Sequence, residues 1–181
     1  MKLDLTVVAG TLKNRTFYSP DSPKTHPMSS KVRQAIFNML GDISGLSILD
    51  VFAGSGALSI ESISRGAESA VMVENNYLAI SAIKTSIKRL KLSNQLKLMP
   101  ISSEAYLKDN NGNKFDIVFA DPPYDDLPSN FADLNTKIAS EGLLILSVPK
   151  QNEQAIKQQF LDLKLLKQKE YGKVLILIYK K

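Results

Sequence analysis

Four consecutive residues near the middle of the chain, Asp121-Pro122-Pro123-Tyr124, combine an acid, a stiff turn and an aromatic ring. They follow an apolar run over 115–119, which is typical of a buried strand in a parallel sheet. The two prolines end that strand, because neither can donate to a ladder. Asp121 and the Pro122 carbonyl could accept hydrogen bonds from an amine, and the Tyr124 ring could stack on a flat base, worth about 1–3 kcal/mol. We predict an amine-binding, base-stacking site.

A second candidate site is the glycine-containing segment Asp50-Val51-Phe52-Ala53-Gly54-Ser55-Gly56, which joins a predicted strand to a predicted helix. Glycines at such a junction let the backbone turn sharply and approach a ligand closely. The pattern is not Gly-x-Gly-x-x-Gly, because Ser59 stands at the third glycine position. No Lys-Ser/Thr pair follows it, as a P-loop would require. A dinucleotide or a triphosphate is therefore disfavoured as the ligand.

A third candidate is the acid that ends the next predicted strand, Glu74, which lies 24 residues after Asp50. An acid at that place in an α/β sheet can hold ribose hydroxyls by two hydrogen bonds. The glycine segment, Glu74 and the Asp121 turn all follow predicted strands. We therefore expect them to meet at one edge of a sheet.

Strand and helix patterns alternate from residue 46 onwards and predict an α/β fold with a mostly parallel sheet. A final pair of strands over 161–169 and 173–180 predicts an antiparallel hairpin at the sheet edge. The other predicted strands cover 47–52, 69–74, 96–101, 115–120 and 142–148, and the predicted helices cover 57–65, 77–90, 104–108, 130–139 and 152–160. Before them, β-prone runs over 5–10 and 15–18 and a helix ending near Leu40 predict a small N-terminal appendage.

The composition excludes several kinds of site and of protein. The chain has 181 residues, no cysteine and one histidine, His26, so disulfides and thiolate or histidine-rich metal sites are excluded and no metal is predicted. No apolar run is long enough to span a membrane, and the first residues lack the apolar core of a signal peptide. We expect a cytoplasmic protein.

The positive charge is concentrated at the start of the chain. The net charge is +5, and residues 1–33 hold six basic side chains against two acidic ones. Such a segment is typical of a polyanion-binding arm. The candidate contacts to phosphates are Lys13, Arg15, Lys24, Lys31 and Arg33.

The sequence resembles the class I S-adenosylmethionine-dependent methyltransferases, and specifically the RsmD-type enzymes that methylate guanine N2 in 16S ribosomal RNA. The resemblance covers nearly the whole chain. It is carried by the segments 31–38, 49–58 with Glu61, 64–67, 73–74 and 121–124, together with Gly10 and the region 13–15. It implies a Rossmann-like fold with a seven-stranded, mostly parallel sheet, divided into an RNA-binding appendage over 1–42 and a methyltransferase domain over 43–181.

The resemblance also implies roles for the candidate residues. The segment from Asp50 to Gly56 would hold the methionine part of S-adenosylmethionine, and Glu74 with Asn75 would hold the ribose. Ser102 would lie beside the adenine, where an Asp or Asn is common in the family. Asp121 to Tyr124 would hold the target amine. The partner would be 16S ribosomal RNA or a partly assembled 30S subunit, bound by a monomer.

Two alternatives remain open from the sequence. One is an amino-methyltransferase that acts on adenine N6 or cytosine N4, although the chain is short for a separate target-recognition domain. The other is a non-catalytic RNA-binding assembly protein that keeps the fold. His26-Pro27-Met28 stands where the family usually has Arg-Pro-Thr, which makes the second alternative thinkable.

Overall fold

The computed structural model of the chain describes residues 1–20, 28–109, 112–124, 127 and 131–181. Several positions named above lie outside these residues: the first residue of the predicted helix over 130–139, the loop residue His26 and the basic residue Lys24. In chain order the elements are β1 Lys2–Thr6, β2 Thr16–Ser19, α1 Ser30–Leu40, β3 Ser47–Asp50, α2 Ala57–Ser64, β4 Ser69–Val73, α3 Tyr77–Leu90, β5 Leu96–Met99, α4 Ser103–Lys108, β6 Phe115–Ala120, a 3₁₀ helix Ala132–Lys137, β7 Ile138–Pro149, a 3₁₀ turn Lys150–Asn152, α5 Glu153–Gln158, β8 Lys164–Tyr171 and β9 Val174–Lys180.

The central sheet has seven strands in the order β5-β4-β3-β6-β7-β9-β8. The strands from β5 to β7 are parallel, and β9 runs antiparallel to both β7 and β8. This confirms the predicted parallel sheet with an antiparallel terminal hairpin. The chain winds outward in opposite directions from β3 and β6, so a crevice opens between their carboxyl ends, where ligands bind in such sheets.

Successive side chains of the central strands enter two different apolar clusters, one on each face of the sheet. On β6, Ile117 and Phe119 belong to one cluster, and Val118 belongs to the other. This is the period-two alternation of a strand that is buried on both sides. The first cluster also contains Phe17 and Phe37, which belong to the N-terminal segment, residues 1–42. That segment therefore packs directly on the central sheet.

The loop between β1 and β2 is fastened to α2. Gly10 has a φ of +82°, and a Cβ there would lie 1.8 Å from the carbonyl oxygen of Ser64. Thr11 N donates to that carbonyl at 2.7 Å, and Leu12 N donates to the Ser64 hydroxyl at 2.9 Å. Only glycine fits this approach, because both the backbone conformation and the space exclude a side chain.

Two predicted elements differ clearly from the structure. The first strand spans Lys2–Thr6 rather than 5–10, and it ends early because the N–H groups of Val8 and Ala9 donate to the Glu61 carboxylate instead of a strand partner. The predicted helix over 130–139 is replaced by the short 3₁₀ helix, and β7 begins at Ile138. Ile138 pairs with Phe115 across a register irregularity, which lengthens β7 at its start.

Candidate active site

A cavity of about 680 Å³ opens at the carboxyl ends of the central strands. The glycine segment forms one side and the Asp121 turn the other, as the sequence predicts. Residues from the N-terminal segment and from the terminal hairpin complete the wall. The lining residues are Pro20, Met28, Ser29, Val32, Phe52, Ala53, Gly54, Ser55, Ala57, Leu58, Asp121, Pro122, Pro123, Tyr124, Ser147, Tyr171 and Val174.

The glycine segment turns from β3 into α2 in the left-handed conformation at two positions. Gly54 has a φ of +55°, and a Cβ built there meets no atom within 4 Å. Gly56 has a φ of +75°, and its Cβ would lie 3.2 Å from the Met72 sulfur. Gly56 is thus required by the backbone and by tight packing. Gly54 leaves open space in which a ligand can approach the main chain.

Asp50 is buried at the end of β3, and one of its carboxylate oxygens lacks a partner. Its Oδ2 accepts from the Ser59 hydroxyl at 2.9 Å, and Oδ1 is buried with no hydrogen bond among the described residues. Burial, together with the charges of Asp121 and Glu74, raises the pKa of Asp50 to about 7, against the lowering effect of the hydrogen bond from Ser59. A cationic donor at this carboxylate would relieve an otherwise costly burial.

Glu74 connects the glycine segment to the start of α3. Its Oε2 accepts from Gly54 N at 2.7 Å, and its Oε1 accepts from Asn75 N at 2.9 Å and Asn76 N at 2.7 Å. Asn76 caps α3 by accepting from the N–H groups of the first turn. A carboxylate oxygen has more than one lone pair, so Glu74 can hold the backbone and still accept from hydroxyl groups.

Several predicted cofactor residues lie beyond the cavity wall. Among the described residues, Asp50, Gly56, Glu74, Asn75 and Ser102 do not line the cavity. Ser102 follows β5 and caps α4 by accepting from Ala105 N at 3.1 Å. Glu74, Asn75 and Ser102 continue the edge on which the glycine segment lies.

The Asp121 turn presents a partly buried carboxylate next to an accessible ring. The Tyr124 side chain is 40% exposed, and its hydroxyl lies 2.7 Å from the Ser147 hydroxyl and 3.5 Å from Asp121 Oδ1. Burial raises the pKa of Asp121 to about 6, although hydrogen bonds from Ser147 and Tyr124 favour its charged form. Burial and the Asp121 charge raise the pKa of Tyr124 to about 12, so its hydroxyl stays protonated.

The sequence prediction missed Ser147, Tyr171 and Val174 in the cavity wall. For Ser147 a signal exists, because it is the one polar residue in the apolar run 143–148 of a strand that is buried on both faces. Polar groups at the carboxyl end of such a strand point to a ligand site. Tyr171 and Val174 flank the turn of the terminal hairpin, and the sequence carries no signal that this turn reaches the site.

The predicted phosphate contacts divide into exposed and buried residues. Lys13, Arg15 and Lys31 are exposed, as a polyanion contact requires. Arg33 is only 1% exposed, and its Nη2 donates to the Thr6 carbonyl at 2.6 Å. The expectation that Arg33 binds RNA therefore needs correction, because its guanidinium faces the protein interior.

Arg33 belongs to a buried charge cluster that holds the N-terminal segment on α2. Glu61, which is 1% exposed, accepts from Val8 N at 2.8 Å and Ala9 N at 3.0 Å. Arg65 Nε donates to Glu61 at 2.9 Å, and Arg33 Nε lies 3.5 Å away from it. The Arg65 guanidinium also lies over the Phe37 ring at 4.7 Å, which ties α1 to α2. Glu61 is thus a structural residue rather than a surface one.

The strand order, the glycine segment after β3 and the Asp-Pro-Pro-Tyr turn after β6 define a class I methyltransferase. The solved structure titled "Putative methyltransferase yhhF from Escherichia coli" superposes with a TM-score of 0.83 at 24% identity, over 98% of this chain and 97% of that one. At this identity, the likeness establishes the fold.

The chain belongs to the RsmD-type family, because the family model described as "Conserved hypothetical protein 95" matches residues 5–180. It is 30% identical to the Bacillus subtilis protein named "Putative rRNA methyltransferase YlbH", over 98% of this chain and 99% of that protein. It is 32% identical to "Ribosomal RNA small subunit methyltransferase D" of Escherichia coli strain K12, over 66% of this chain and 60% of that protein. The match to the latter thus spans less than two thirds of its length.

Within the described residues, no helix combines the length and the apolar character needed to cross a membrane.

Proposed function

We propose that the protein transfers the methyl group of S-adenosylmethionine to the exocyclic N2 amine of a guanine in 16S ribosomal RNA. The observation that carries this proposal is the meeting, in one cavity, of the open glycine segment with the Asp121 carboxylate and the accessible Tyr124 ring. The names of the relatives support ribosomal RNA as the substrate class.

The residues at the sheet edge fit the proposed cofactor. The unpartnered Oδ1 of Asp50 suits a group that brings positive charge and N–H donors, as the methionine ammonium does. The space over Gly54 admits the methionine part, Glu74 and Asn75 would hold the ribose, and Ser102 would lie beside the adenine. The bound cofactor supplies a sulfonium-activated methyl group.

The Asp121 turn would prepare the amine for attack. An exocyclic nitrogen is a poor nucleophile, because its lone pair is delocalised into the base. Hydrogen bonds from its two N–H groups to the Asp121 carboxylate and the Pro122 carbonyl would favour a pyramidal nitrogen whose lone pair is free. Stacking on Tyr124 would fix the plane of the base. Most of the acceleration would come from this positioning and from the preorganised charge.

The proton balance also assigns a task to Asp121. When the N–C bond forms, the sulfonium leaves as a neutral thioether and the nitrogen becomes cationic. The nitrogen then loses one proton, and the adjacent Asp121 carboxylate can take it and pass it to water. A group with a pKa of about 6 is charged at neutral pH and can still hold a proton briefly.

The RNA would be held by the exposed cations of the N-terminal segment. Lys13 and Arg15 lie at the loop between β1 and β2, and Lys31 lies in the first turn of α1. Lys24 belongs to the same basic segment. A guanine in folded RNA must be unstacked before it can enter the cavity, which costs a few kcal/mol. We propose that these phosphate contacts offset that cost.

The acid limb of the pH profile of kcat/KM should reflect the protonation of Asp121. At saturating cofactor, kcat/KM for the RNA should rise with pH through about 6 and then level off, because only the charged carboxylate accepts from both the amine and its proton. Asp50, whose pKa is about 7, would affect the pH profile through cofactor binding, and a saturating cofactor concentration removes that effect. Methyl transfer measured between pH 5 and 8.5 checks this, and a rate that is flat down to pH 5 would contradict it.

Gly54→Ala should weaken cofactor binding by about ten-fold or more, since the added methyl group occupies space that the ligand needs. The matched control is Gly45→Ala, at a loop glycine with a φ of +75° and no atom within 4 Å of its Cβ. Both variants should lose similar stability, because both strain a left-handed backbone position. Isothermal titration with S-adenosylmethionine should separate them, and equal affinities in the two variants would argue against the proposed cofactor position.

The function itself is tested by transfer of labelled methyl to three substrates. The proposal expects label in naked 16S RNA or in 30S particles, and none in DNA. Transfer to DNA would favour the adenine N6 or cytosine N4 alternative. Absence of both cofactor binding and transfer would favour the non-catalytic assembly protein.

A further inference from the structure

Ser147 is a polar exception in one of the most deeply buried strands of the protein. It lies near the carboxyl end of β7, where Ile145, Leu146 and Val148 are core residues, and it is itself only 2% exposed. It nevertheless reaches the wall of the cavity. A buried hydroxyl is costly unless it makes hydrogen bonds, so its partners explain its presence.

Both partners of Ser147 belong to the Asp121 turn. The Tyr124 hydroxyl lies 2.7 Å from Ser147 Oγ, and the Ser147 hydroxyl is close enough to the Asp121 carboxyl to lower its pKa. Tyr124 Oη also lies 3.5 Å from Asp121 Oδ1, at the outer limit of a hydrogen bond. A serine hydroxyl has one proton and two lone pairs, so it can accept from Tyr124 and donate to Asp121 at the same time.

We propose that Ser147 is a positioning residue that fixes the Tyr124 ring and the Asp121 carboxylate relative to each other, so that a base stacked on the ring presents its amine to the carboxylate. The inference rests on the proposed function and adds a residue from a neighbouring strand to it. The two prolines stiffen the backbone of the turn, but they do not fix the torsion angles of the two side chains. Ser147 supplies that restraint from a rigid strand.

Loss of the hydroxyl should have two linked consequences. The Tyr124 ring would lose the contact that fixes its position, so the entropic cost of stacking a base on it would increase. The carboxylate would lose a donor that favours its charged form, so the pKa of Asp121 would rise further above its usual range. Among the described residues, the titratable groups that interact with Asp121 are Tyr124 on its own turn and Asp50 on β3. Both residues are kept in a Ser147 variant, although the Tyr124 hydroxyl loses its Ser147 partner.

Ser147→Ala is the variant to test, with Ser147→Thr as the conservative variant that keeps a hydroxyl. Ser62→Ala is the matched control, because Ser62 is a fully buried serine whose hydroxyl donates to the Leu58 carbonyl within α2. The first measurement is an NMR titration of the Asp121 carboxyl carbon in the ligand-free protein, with the signal assigned from Asp121→Asn. The second is kcat/KM for the RNA as a function of pH at saturating cofactor.

In Ser147→Ala, the titration midpoint of Asp121 and the acid limb of kcat/KM should both move to higher pH by about half a unit to one unit. kcat/KM at neutral pH should fall about ten-fold, while cofactor affinity and thermal stability match those of Ser62→Ala. Ser147→Thr should restore the midpoint. An unchanged midpoint in Ser147→Ala would overturn the inference, even in a protein without RNA methylation. Inactivity of the wild-type protein on RNA would instead count against the proposed function.

Discussion

Asp121→Ala should lower the rate of methyl transfer by at least about 1000-fold and leave the affinity for S-adenosylmethionine nearly unchanged. The variant removes the acceptor for the amine and the group that takes its proton, and losses of 10²–10⁴-fold are typical of such groups. The glycine segment and Glu74 hold each other through the Gly54 N–H, without Asp121. Single-turnover rates with labelled cofactor and isothermal titration measure the two quantities.

Asp121→Asn is the control for shape in this experiment. It keeps the size of the side chain and one acceptor oxygen but removes the charge, so it should transfer faster than Asp121→Ala and far more slowly than the wild-type protein. At saturating cofactor its rate should also lose the acid limb near pH 6, because the carboxyl at position 121 is gone. Turnover close to wild type in either variant would refute the role assigned to Asp121.

Glu61→Ala should reduce the free energy of unfolding by about 3–5 kcal/mol, the usual cost of removing one partner from a buried ion pair. The change leaves the Val8 and Ala9 N–H groups without an acceptor, and it leaves the buried Arg33 guanidinium without a counter-charge. Urea unfolding followed by circular dichroism measures the loss.

The control for this second prediction is Glu153→Ala, which removes a partly exposed ion pair with Lys157 on α5 and should reduce the stability far less than Glu61→Ala does. Any Glu61→Ala protein that remains folded should bind S-adenosylmethionine but bind RNA more weakly, because the basic segment loses one of its attachments to α2. If Glu61→Ala unfolded at the same urea concentration as Glu153→Ala, the cluster would not be what holds the N-terminal segment.

The sheet could be predicted from the sequence, because its central strands are apolar runs that end in glycine, proline or acidic residues. Those endings also revealed Asp50, Glu74 and Asp121, since the carboxyl ends of parallel strands share one edge. Ser147 was missed although it follows the same rule on β7. The rule could have been applied to the one polar residue in that apolar run.

The roles of Arg33 and the end of β1 could not be predicted, because both depend on Glu61, which is distant in the sequence. Arg33 shares a helix face with Ile36 and Phe37, three and four positions further on, and that spacing does indicate a buried position. A buried arginine needs a counter-charge, and no local pattern identifies which acid supplies it. The same acid takes the N–H groups of Val8 and Ala9 and thereby ends the strand.

The central claim is methyl transfer to the N2 amine of guanine, and the most direct test is the identity of the methylated nucleoside. Small-subunit RNA that has not been methylated, both naked and in 30S particles, is incubated with the protein and labelled S-adenosylmethionine, digested to nucleosides and separated. We predict that the label migrates as N2-methylguanosine in at least one of the two substrates and is absent with Asp121→Ala. Label in N6-methyladenosine or N4-methylcytidine, or RNA that stays unlabelled in both substrates, would contradict the proposal.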